Sequence, residues 1–308
     1  MTNRIWVLGD AVVDLIPDGE QHYLRCAGGA PANVAVGVAR LGGDSAFIGR
    51  VGQDPLGEFM QQTLQQENVN TDFMFLDPQH RTSTVVVGLT HGERSFTFMV
   101  NPSADQFLTV SDLPKFRADE WLHCCSIALI NEPTRTATLS AMQAIRDAGG
   151  NVSFDPNLRE SLWQSQDEMK SVVLQAVALA DVLKFSEEEL TLLTDCDSLE
   201  KAFDKITALY PQKLIIVTLG KDGALYHLQG KKAVIAGKAL QPIDTTGAGD
   251  AFVGGLLAGL SQHSDWQQTT VLEQIIRQAN ACGALATTAK GAMSALPNQA
   301  QLAAFLNN

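Results

Sequence analysis

A glycine-rich stretch reads Asp-Thr-Thr-Gly-Ala-Gly-Asp over residues 244–250, and an apolar run at residues 251–260 follows it directly. A turn of this kind exposes backbone N–H groups, and the start of a helix adds unpaired donors and a partial positive charge. The pattern therefore predicts a cradle for an anion at the start of a buried helix. Asp250 could accept a proton from a hydroxyl group bound there, but an aspartate at a helix start is also typical of an N-cap.

A second stretch reads Gly-Gly-Ala-Pro-Ala-Asn over residues 28–33 and predicts another turn that opens a helix, because proline suits the first helical turn. Its glycines let a ligand approach the backbone, and the Asn33 amide both donates and accepts hydrogen bonds, as a hydroxyl-rich ligand requires. Asp10 and Asp14 lie near the end of the first predicted strand, residues 5–8. These two carboxylates would either bind vicinal hydroxyl groups or belong to a solvated turn. For residues 28–33, the alternative is a loop-to-helix transition without a ligand.

Two shorter stretches follow predicted strands. Thr-Leu-Gly-Lys-Asp-Gly at residues 218–223 comes after the most β-like run of the chain, and Asp-Pro-Asn-Leu-Arg at residues 155–159 follows a short strand. Ligands of open α/β sheets bind at the carboxyl ends of the strands, and the planar fork of Arg159 suits a phosphate group. An ordinary β-turn and a surface arginine are the alternatives for these two stretches.

From about residue 120 the chain alternates between β-like and helix-like segments. Strands are predicted at residues 121–129, 152–155, 182–185 and 214–219, and helices at residues 135–148, 169–180, 251–260 and 271–289. A further helix begins at Ser186, where Glu189 three residues later completes a capping-box pattern. This alternation predicts an α/β fold whose parallel sheet is covered on both faces.

The first third of the chain has a different pattern. Residues 11–16 and 23–26 flank a polar turn, and residues 84–89 and 95–100 flank a turn formed by His91, Gly92 and Glu93. Both patterns predict hairpins that form a smaller appendage on the body. Because no linker or internal repeat interrupts the sequence, we expect a single domain over residues 1–308.

Composition excludes several classes of protein. The 308 residues carry a net charge of −12, which argues against a general binder of nucleic acid or anionic membranes. An odd number of cysteines, five, without zinc-site spacing predicts a reduced, cytoplasmic protein. No apolar run approaches 18 residues, and neither a P-loop nor a dinucleotide-binding glycine fingerprint occurs, so a nicotinamide-dependent dehydrogenase is disfavoured.

The stretches at residues 28–35 and 244–250 resemble the two signatures of the ribokinase-like (PfkB) carbohydrate kinases, and the resemblance covers essentially the whole chain. Within this family the chain is most similar to the bacterial fructokinases of sucrose utilisation, on residues 81–84, 93–100, 102–105 and 288–293. Aminoimidazole riboside kinases share many of these segments. The resemblance implies a three-layer α/β fold with a mostly parallel central sheet and a small β-strand lid, built from strands at about residues 11–26 and 81–101.

The resemblance also implies roles for individual residues around the transferred phosphoryl group and the sugar. Asp250 would be the general base, and the N–H groups of Gly247, Ala248 and Gly249 would form the anion hole. The residues expected to bind the sugar, together with Asp250, are Asp10, Asp14, Gly28, Gly29, Asn33, Phe98 and Arg159. Two positions depart from the family pattern: Ser186 replaces an asparagine, and Asn101 stands where fructokinases usually have arginine.

ATP, Mg²⁺ and K⁺ are the further ligands that the resemblance implies. The residues expected to bind ATP are Asn157, Lys184, Glu189, Thr218, Gly220, Lys221, Gly223, Gly249 and Asn280. Glu189 would reach Mg²⁺ through water, and the K⁺ ligands would come from Asp244, Thr246, Ala286, Ala289 and Gly291.

The activity implied is ATP-dependent phosphorylation of D-fructose at its 6-hydroxyl group. A kinase for aminoimidazole riboside or another nucleoside is the alternative, and a non-catalytic sugar-sensing protein is a third hypothesis. We expect D-fructose and ATP as partners, with no nucleic acid and no membrane. The exposed edges of the lid strands could also pair two subunits into a homodimer.

Overall fold

The computed structural model of the protein describes residues 3–19, 21–90, 93–238 and 240–307. Its strands, numbered in chain order, form a large sheet and a small one. The strands of the large sheet are β1 (Ile5–Leu8), β4 (Ser45–Gly52), β5 (Asn70–Asp77), β8 (Trp121–Cys125), β9 (Asn151–Asp155), β10 (Val182–Ser186), β11 (Leu214–Thr218), β12 (Gly223–Leu228) and β13 (Lys231–Ala236). Those of the small sheet are β2 (Val12–Asp18), β3 (His22–Gly28), β6 (Thr84–Thr90) and β7 (Glu93–Met99).

The large sheet has the strand order β13-β12-β11-β10-β9-β8-β1-β4-β5. Neighbouring strands are parallel from β5 to β11, and within the described residues only the pairs β11–β12 and β12–β13 of this sheet are antiparallel. The predicted α/β fold with a mostly parallel central sheet is thus confirmed.

Helices cover both faces of the large sheet. They are α1 (Ala30–Arg40), α2 (Pro55–Gln66), α3 (Thr134–Asp147), α4 (Gln166–Leu179), α5 (Glu187–Thr194), α6 (Leu199–Leu209), α7 (Ala248–Gln262), α8 (Thr269–Ala286) and α9 (Gln299–Asn307). Along β1, Ile5 and Val7 belong to the apolar layer of α1, α7 and α8, whereas Trp6 and Leu8 belong to the layer of α3 and α4. Since successive side chains of a strand point to opposite faces, an unbroken apolar run is what a sheet covered on both sides requires.

Helices α1 and α7 touch backbone to backbone. A Cβ atom added to Gly254 of α7 would lie 3.2 Å from the Cα atom of Gly37 in α1. Glycine at this position therefore lets the two helices lie slightly closer together than alanine would.

The small sheet, which we call the lid sheet, has the strand order β3-β2-β6-β7. β2 pairs antiparallel with β3 and parallel with β6, and β6 pairs antiparallel with β7, placing Val85 opposite Phe98. Both predicted hairpins are present, although His91 and Gly92 of the second predicted turn lie outside the described residues. On the outer strand β3, Tyr23 is 57% exposed and Leu24 is 56% exposed.

Three local predictions are wrong. Only Trp121–Cys125 of the predicted strand 121–129 is a strand, and Ser126–Leu129 forms a short 3-10 helix whose first N–H donates to the carbonyl of Pro156 at 3.0 Å. The predicted helix 271–289 ends at Ala286. Helix α7 begins at Ala248 with Gly247 as its N-cap, so the alternative of Asp250 as the N-cap is wrong.

No helix in the described part of the chain combines the length and the apolar character that a membrane crossing needs.

Candidate active site

Two adjoining cavities open where the carboxyl ends of the parallel strands meet the start of α7. The first, which we call the carboxylate cavity, has a volume of about 560 Å³ and is bounded by Asp10, Asp14 and Asp250. The second, which we call the apolar cavity, has a volume of about 400 Å³ and is lined by Pro242 and Phe252 among others. Gly249, in the first turn of α7, lines both cavities, so the boundary between them lies at the start of this helix.

Asp250 lies in the first turn of α7, facing the start of α1. The amide nitrogen Nδ2 of Asn33 donates to its Oδ2 at 2.7 Å. Burial raises the pKa of Asp250 to about 6, although the bond from Asn33 acts in the opposite direction. The carboxylate is therefore oriented by a neighbour and is a stronger base than an exposed aspartate.

Two more carboxylates face the same cavity. Asp10 follows β1, is only 4% exposed, and has its pKa raised to about 7 by burial and by the nearby charge of Asp105. Burial also raises the pKa of Asp14, on lid strand β2, to about 6. The Oδ1 atom of Asp10 has no hydrogen-bond partner among the described residues. A buried oxygen of this kind is suited to a ligand hydroxyl group.

The glycines predicted to bind the sugar lie against these carboxylates. A Cβ atom on Gly28 would lie 2.6 Å from Oδ2 of Asp14, and one on Gly29 would lie 2.8 Å from the carbonyl oxygen of Asp10. The backbone of Gly29, with φ at 94°, also has a conformation that favours glycine. The turn into α1 can therefore pass closely over the end of β1.

The turn before α7 presents backbone donors to the cavities. Gly247 has φ at 78°, and the Ala248 N–H donates to the Thr245 carbonyl at 3.2 Å. The N–H groups of Gly247 and Gly249 have no protein acceptor among the described residues. Unpaired N–H groups therefore lie at the helix start for which the sequence predicts an anion cradle, and anion binding there stays a prediction.

A buried ion pair lies beside this turn. Lys184 of β10 donates from Nζ to Oδ2 of Asp155 in β9 at 2.9 Å, and a Cβ atom on Gly249 would lie 3.6 Å from the same Nζ. Burial alone would lower the pKa of Lys184, but the charges of Asp155 and Glu189 raise it above its ordinary value. The ammonium group therefore stays charged beside the unpaired N–H groups.

Glu189 joins the end of β10 to the end of β9. Its Oε2 accepts the N–H of Ser186 at 2.8 Å, and its Oε1 accepts the N–H of Leu158 at 2.8 Å. The predicted capping box of Ser186 and Glu189 is confirmed. Glu189 lines neither cavity but a groove beside the carboxylate cavity, and burial raises its pKa.

The remaining predicted sugar and phosphate residues lie on the rim of the carboxylate cavity. Phe98 of β7 and Arg159 both line it, and Nη1 of Arg159 donates to Oδ1 of Asn157 at 2.7 Å. Arg159 is exposed, so it stands at the mouth of the cavity.

The predicted ATP-binding residues after β11 converge on the apolar cavity, whose lining includes Thr218, Gly220, Lys221, Gly223, Gly249 and Asn280. Asn280 of α8 is 9% exposed and donates from Nδ2 to the carbonyl of Ile235 at 2.9 Å. It thereby ties α8 to the edge strand β13, and this contact fixes one wall of the cavity.

Three of the five predicted K⁺ residues come together. Oδ1 of Asp244 accepts from the Thr246 N–H at 3.1 Å and from its hydroxyl at 2.7 Å, and Oδ2 accepts from the Gly291 N–H at 3.1 Å. Ala286 is the last residue of α8, and Ala289 lies on the exposed segment that follows. No cluster of three or more His, Cys, Asp and Glu side chains suited to a metal occurs among the described residues.

The sequence did not single out every residue of the two cavities. Asp155 was quoted only as part of a motif, yet it holds Lys184. The apolar lining of the carboxylate cavity comes from Val12, Val85, Cys125, Ile127 and Ala292, and that of the apolar cavity includes Leu240 and Ala284. Apolar residues next to loops carry no signal that separates a cavity wall from a core position.

Taken with the fold, this site defines a small-molecule kinase of the ribokinase-like class. The chain belongs to the pfkB family of carbohydrate kinases, whose family profile matches residues 2–299. It is 57% identical over 305 residues to a fructokinase of Vibrio alginolyticus, with 99% of each chain covered.

Solved structures give the same assignment. Fructokinase from Vibrio cholerae O395 has been solved as a double mutant with fructose, ADP and potassium, and also with fructose, ADP and calcium. Both structures are 59% identical to this chain with a TM-score of 0.94, covering 99% of it and 98% or 99% of their own chains. Aminoimidazole riboside kinase from Salmonella enterica, complexed with its riboside and an ATP analog, is 42% identical with a TM-score of 0.92, covering 99% of this chain and 100% of its own.

Proposed function

We propose that this protein is an ATP-dependent fructokinase that phosphorylates D-fructose at its 6-hydroxyl group. The observation that carries the proposal is the position of Asp250, between a turn with unpaired N–H groups and a cavity lined by carboxylates. The high identity to named fructokinases favours fructose over other sugars.

Asp250 acts as the general base. A hydroxyl proton becomes acidic only as the bond from its oxygen to phosphorus forms, so a carboxylate with a pKa of about 6 is basic enough to accept it late in the step. Asn33 holds the carboxylate in place through its 2.7 Å hydrogen bond. The base therefore needs no reorientation when the sugar binds.

The negative charge of the transferred group meets fixed donors. Gly247, Gly249 and Lys184 line the carboxylate cavity, and Gly249 also lines the apolar cavity, so their N–H groups and the ammonium group lie near the boundary between the two. Phosphoryl transfer depends mainly on alignment and on charge stabilisation of this kind. We assign this role to the N–H group of Ala248 as well, with a smaller share because that group already has an acceptor.

The carboxylate cavity takes the sugar, and the apolar cavity takes the nucleoside part of ATP. Asp10, Asp14 and the backbone of Gly29 accept or donate hydrogen bonds to the sugar hydroxyl groups, and Phe98 closes over the ring. Arg159 at the mouth reaches the phosphate. In the apolar cavity, Thr218 and Lys221 face the phosphate side of the nucleotide.

Two cations complete the proposal. The buried Oδ1 atom of Asp155 has no hydrogen-bond partner among the described residues, and Glu189 keeps a free lone pair on each oxygen for water, so both suit Mg²⁺ with ATP. Mg²⁺ neutralises charge on the phosphates. The carboxylate and backbone oxygens around Asp244 and Thr246 are hard ligands that suit K⁺, to which Ala286, Ala289 and Gly291 would contribute carbonyl groups.

The experiment that tests the proposal is an assay of ADP release with D-fructose and aminoimidazole riboside at one pH and one K⁺ concentration. We expect kcat/KM to be higher for D-fructose, and activity to be higher in K⁺ than in Li⁺ at equal ionic strength. If kcat/KM for D-fructose divided by that for the riboside is below one, the riboside is the preferred substrate and the kinase mechanism still holds. No ADP release with any sugar or nucleoside would favour the sugar-sensing hypothesis.

We also propose a homodimer formed through the lid sheet. Tyr23 and Leu24 are largely exposed on β3, and Met99 at the end of β7 is 60% exposed, so both outer strands of the lid sheet carry apolar surface. Light scattering of the wild type and of Leu24→Glu tests this proposal, which predicts that the substitution gives a monomer. Location in the cytoplasm stays a prediction.

A further inference from the structure

A compact hydrogen-bonded group lies outside both cavities, where the lid sheet leaves the body. At its centre is Asp54, the N-cap of α2, whose Oδ1 accepts the N–H groups of Leu56 at 3.0 Å and Gly57 at 2.9 Å. The same carboxylate binds Thr82, because Oδ2 accepts the N–H of Thr82 at 2.9 Å and Oδ1 accepts its hydroxyl at 2.8 Å. One side chain thus joins a body helix to the segment that enters β6. We call Gly52, Asp54, Gly57 and Thr82 the lid anchor.

The lid anchor is packed without spare room. A Cβ atom on Gly52 would lie 2.2 Å from Oδ2 of Asp54 and 2.6 Å from the nitrogen of Thr82. A Cβ atom on Gly57 would lie 2.0 Å from the carbonyl oxygen of Gly52. Thr82 is only 3% exposed, and its hydroxyl oxygen also accepts the N–H of Gly52 at 3.0 Å. The group therefore holds the entry to β6 in one position.

Both ends of the β6–β7 hairpin reach this point. The N–H of Ala104, beyond β7, donates to the carbonyl of Arg81 at 2.9 Å, and Arg81 forms a bridge with Ser103. On the other side, the N–H of Val13 in β2 donates to the carbonyl of Ser83 at 3.0 Å. A single short segment, residues 81–83, thus fixes the lid strands relative to each other and to the body.

Charge adds to the strength of these bonds. Burial pushes the pKa of Asp54 upward, but the hydrogen bonds from Thr82, Gly57 and Leu56 together hold it below its ordinary value. The carboxylate is thus ionised at neutral pH. Hydrogen bonds to an ionised acceptor are about twice as strong as those between neutral groups.

We propose that Asp54 is a positioning residue that fixes where β6 and β7 leave the body, and thereby where Val85 and Phe98 stand over the carboxylate cavity. Its bearing on substrate binding rests on the proposed function, whereas its effect on the lid sheet does not. Asp54 touches neither cavity, so it acts only through the strands that it holds.

The chain offers a substitution that separates the two tasks of Asp54. Asparagine is as good an N-cap as aspartate, so Asp54→Asn keeps an oxygen for the N–H groups at the start of α2. Its amide NH₂ group would instead face the N–H of Thr82, and two donors cannot bond to each other. A second variant, Thr82→Val, removes the hydroxyl with little change of shape. The control is Ser198→Ala, which removes the N-cap of α6.

Hydrogen exchange in the absence of substrate tests the proposal directly. We expect exchange in β6 and β7 to be about ten-fold faster in Asp54→Asn, with exchange in α2 unchanged, because a buried N–H group loses its acceptor. Thr82→Val should accelerate the same strands to a smaller extent, and Ser198→Ala should leave them as in the wild type. Unchanged exchange of β6 and β7 in Asp54→Asn, or equal acceleration in Ser198→Ala, would overturn the proposal.

Kinetics with D-fructose provide the second measurement. We expect KM for D-fructose to rise about five- to ten-fold in Asp54→Asn with kcat within about two-fold, since a displaced lid weakens ground-state and transition-state binding alike. An unchanged KM with faster exchange would overturn the positioning role. If the wild type does not phosphorylate D-fructose, the proposed function fails, while the exchange measurement still decides whether Asp54 anchors the lid sheet.

Discussion

The two walls of the carboxylate cavity are built in different ways. On the body wall, Asn33, Asp155 and Lys184 are 3%, 4% and 7% exposed and are held by side-chain hydrogen bonds. On the lid wall, Phe98 is half-buried, and the next residue of its strand, Met99, is 60% exposed. Most of the charged groups that face the cavity, including Asp250, lie on the buried body wall, although Asp14 belongs to lid strand β2. The lid wall is more exposed and is therefore the wall better able to move. This division suits a kinase that must both align phosphate groups and exclude water.

The body wall should be sensitive to the loss of one oxygen. We expect Asp250→Asn to lower kcat by about 10²–10⁴-fold, because an amide cannot accept the proton of the sugar hydroxyl. Its affinity for ATP and its fold should be retained. Steady-state kinetics and nucleotide binding check this result against Asp147→Asn, which changes an exposed carboxylate at the end of α3. Near-normal turnover of folded Asp250→Asn would show that Asp250 is not the general base.

The buried ion pair should be needed both for stability and for turnover. Lys184→Met leaves the Asp155 carboxylate buried without its partner, which should lower the free energy of unfolding by about 3–5 kcal/mol. Denaturant titration measures this loss. In Lys184→Met with Asp155→Leu, stability should largely return while kcat stays low. Recovery of turnover in the double variant would show that the pair is structural and takes no part in the chemistry.

As the pH is lowered, the enzyme should lose activity before it unfolds. Because burial raises the pKa of Asp250 to about 6, protonation of this base alone should lower kcat/KM about ten-fold per pH unit below that value. Stability should change in the opposite sense. A carboxyl group whose pKa is higher in the folded state is destabilising when ionised, and this cost is lost as the pH falls through the folded-state pKa.

The same reasoning gives a measurable difference in stability. At pH 8 Asp250→Asn should be more stable than the wild type by about 1–3 kcal/mol, because the variant buries no charge at this position. The difference should shrink between pH 6 and pH 4, the window between the raised pKa of about 6 and the model-peptide value of about 3.9. A difference in stability that is independent of pH would mean that the ionised Asp250 carboxylate does not destabilise the folded protein.

The lid wall should respond to sugar more than the body wall does. We expect amide exchange in β2, β3, β6 and β7 to slow by several-fold at saturating D-fructose, because the sugar would order the lid sheet over the cavity. Exchange in β9 and β10 should change little and serves as the internal control. If D-fructose slows amide exchange equally in the strands of both walls, or in neither, the lid wall is not more mobile than the body wall.

The sequence predicted the local features of the site better than its long-range contacts. The turn before α7 and the capping box at Ser186 depend on residues that are neighbours in the chain, and both are present. The bond between Asn33 and Asp250 joins residues 217 positions apart, so no local pattern reveals it. The second bond of Glu189, to the N–H of Leu158, has the same character.

Errors in the predicted elements have similar physical causes. The apolar run at residues 121–129 contains no glycine or proline to mark where the strand ends, and the end is set by the contact of Ser126 with Pro156. The sequence did not predict strands β4 and β5 or helix α2. In the structure, β4 pairs with β1 and β5, and α2 buries Gly57, Met60 and Leu64. Tertiary contacts, rather than residue preferences, fix these boundaries.

The close contact between α1 and α7 has a consequence for how activity can be lost. Gly37 lies one helical turn after Asn33, and Gly254 lies one helical turn after Asp250. The two helices are therefore in contact one turn after the hydrogen bond between Asn33 and Asp250. A methyl group on Gly254 would lie 3.2 Å from the Cα atom of Gly37, so the helices would have to move slightly apart, whereas one on Gly37 would make an ordinary contact at 3.5 Å. Gly254 therefore supports the site from a position that lines neither cavity, because its lack of a side chain lets the helices that carry Asn33 and Asp250 lie close together.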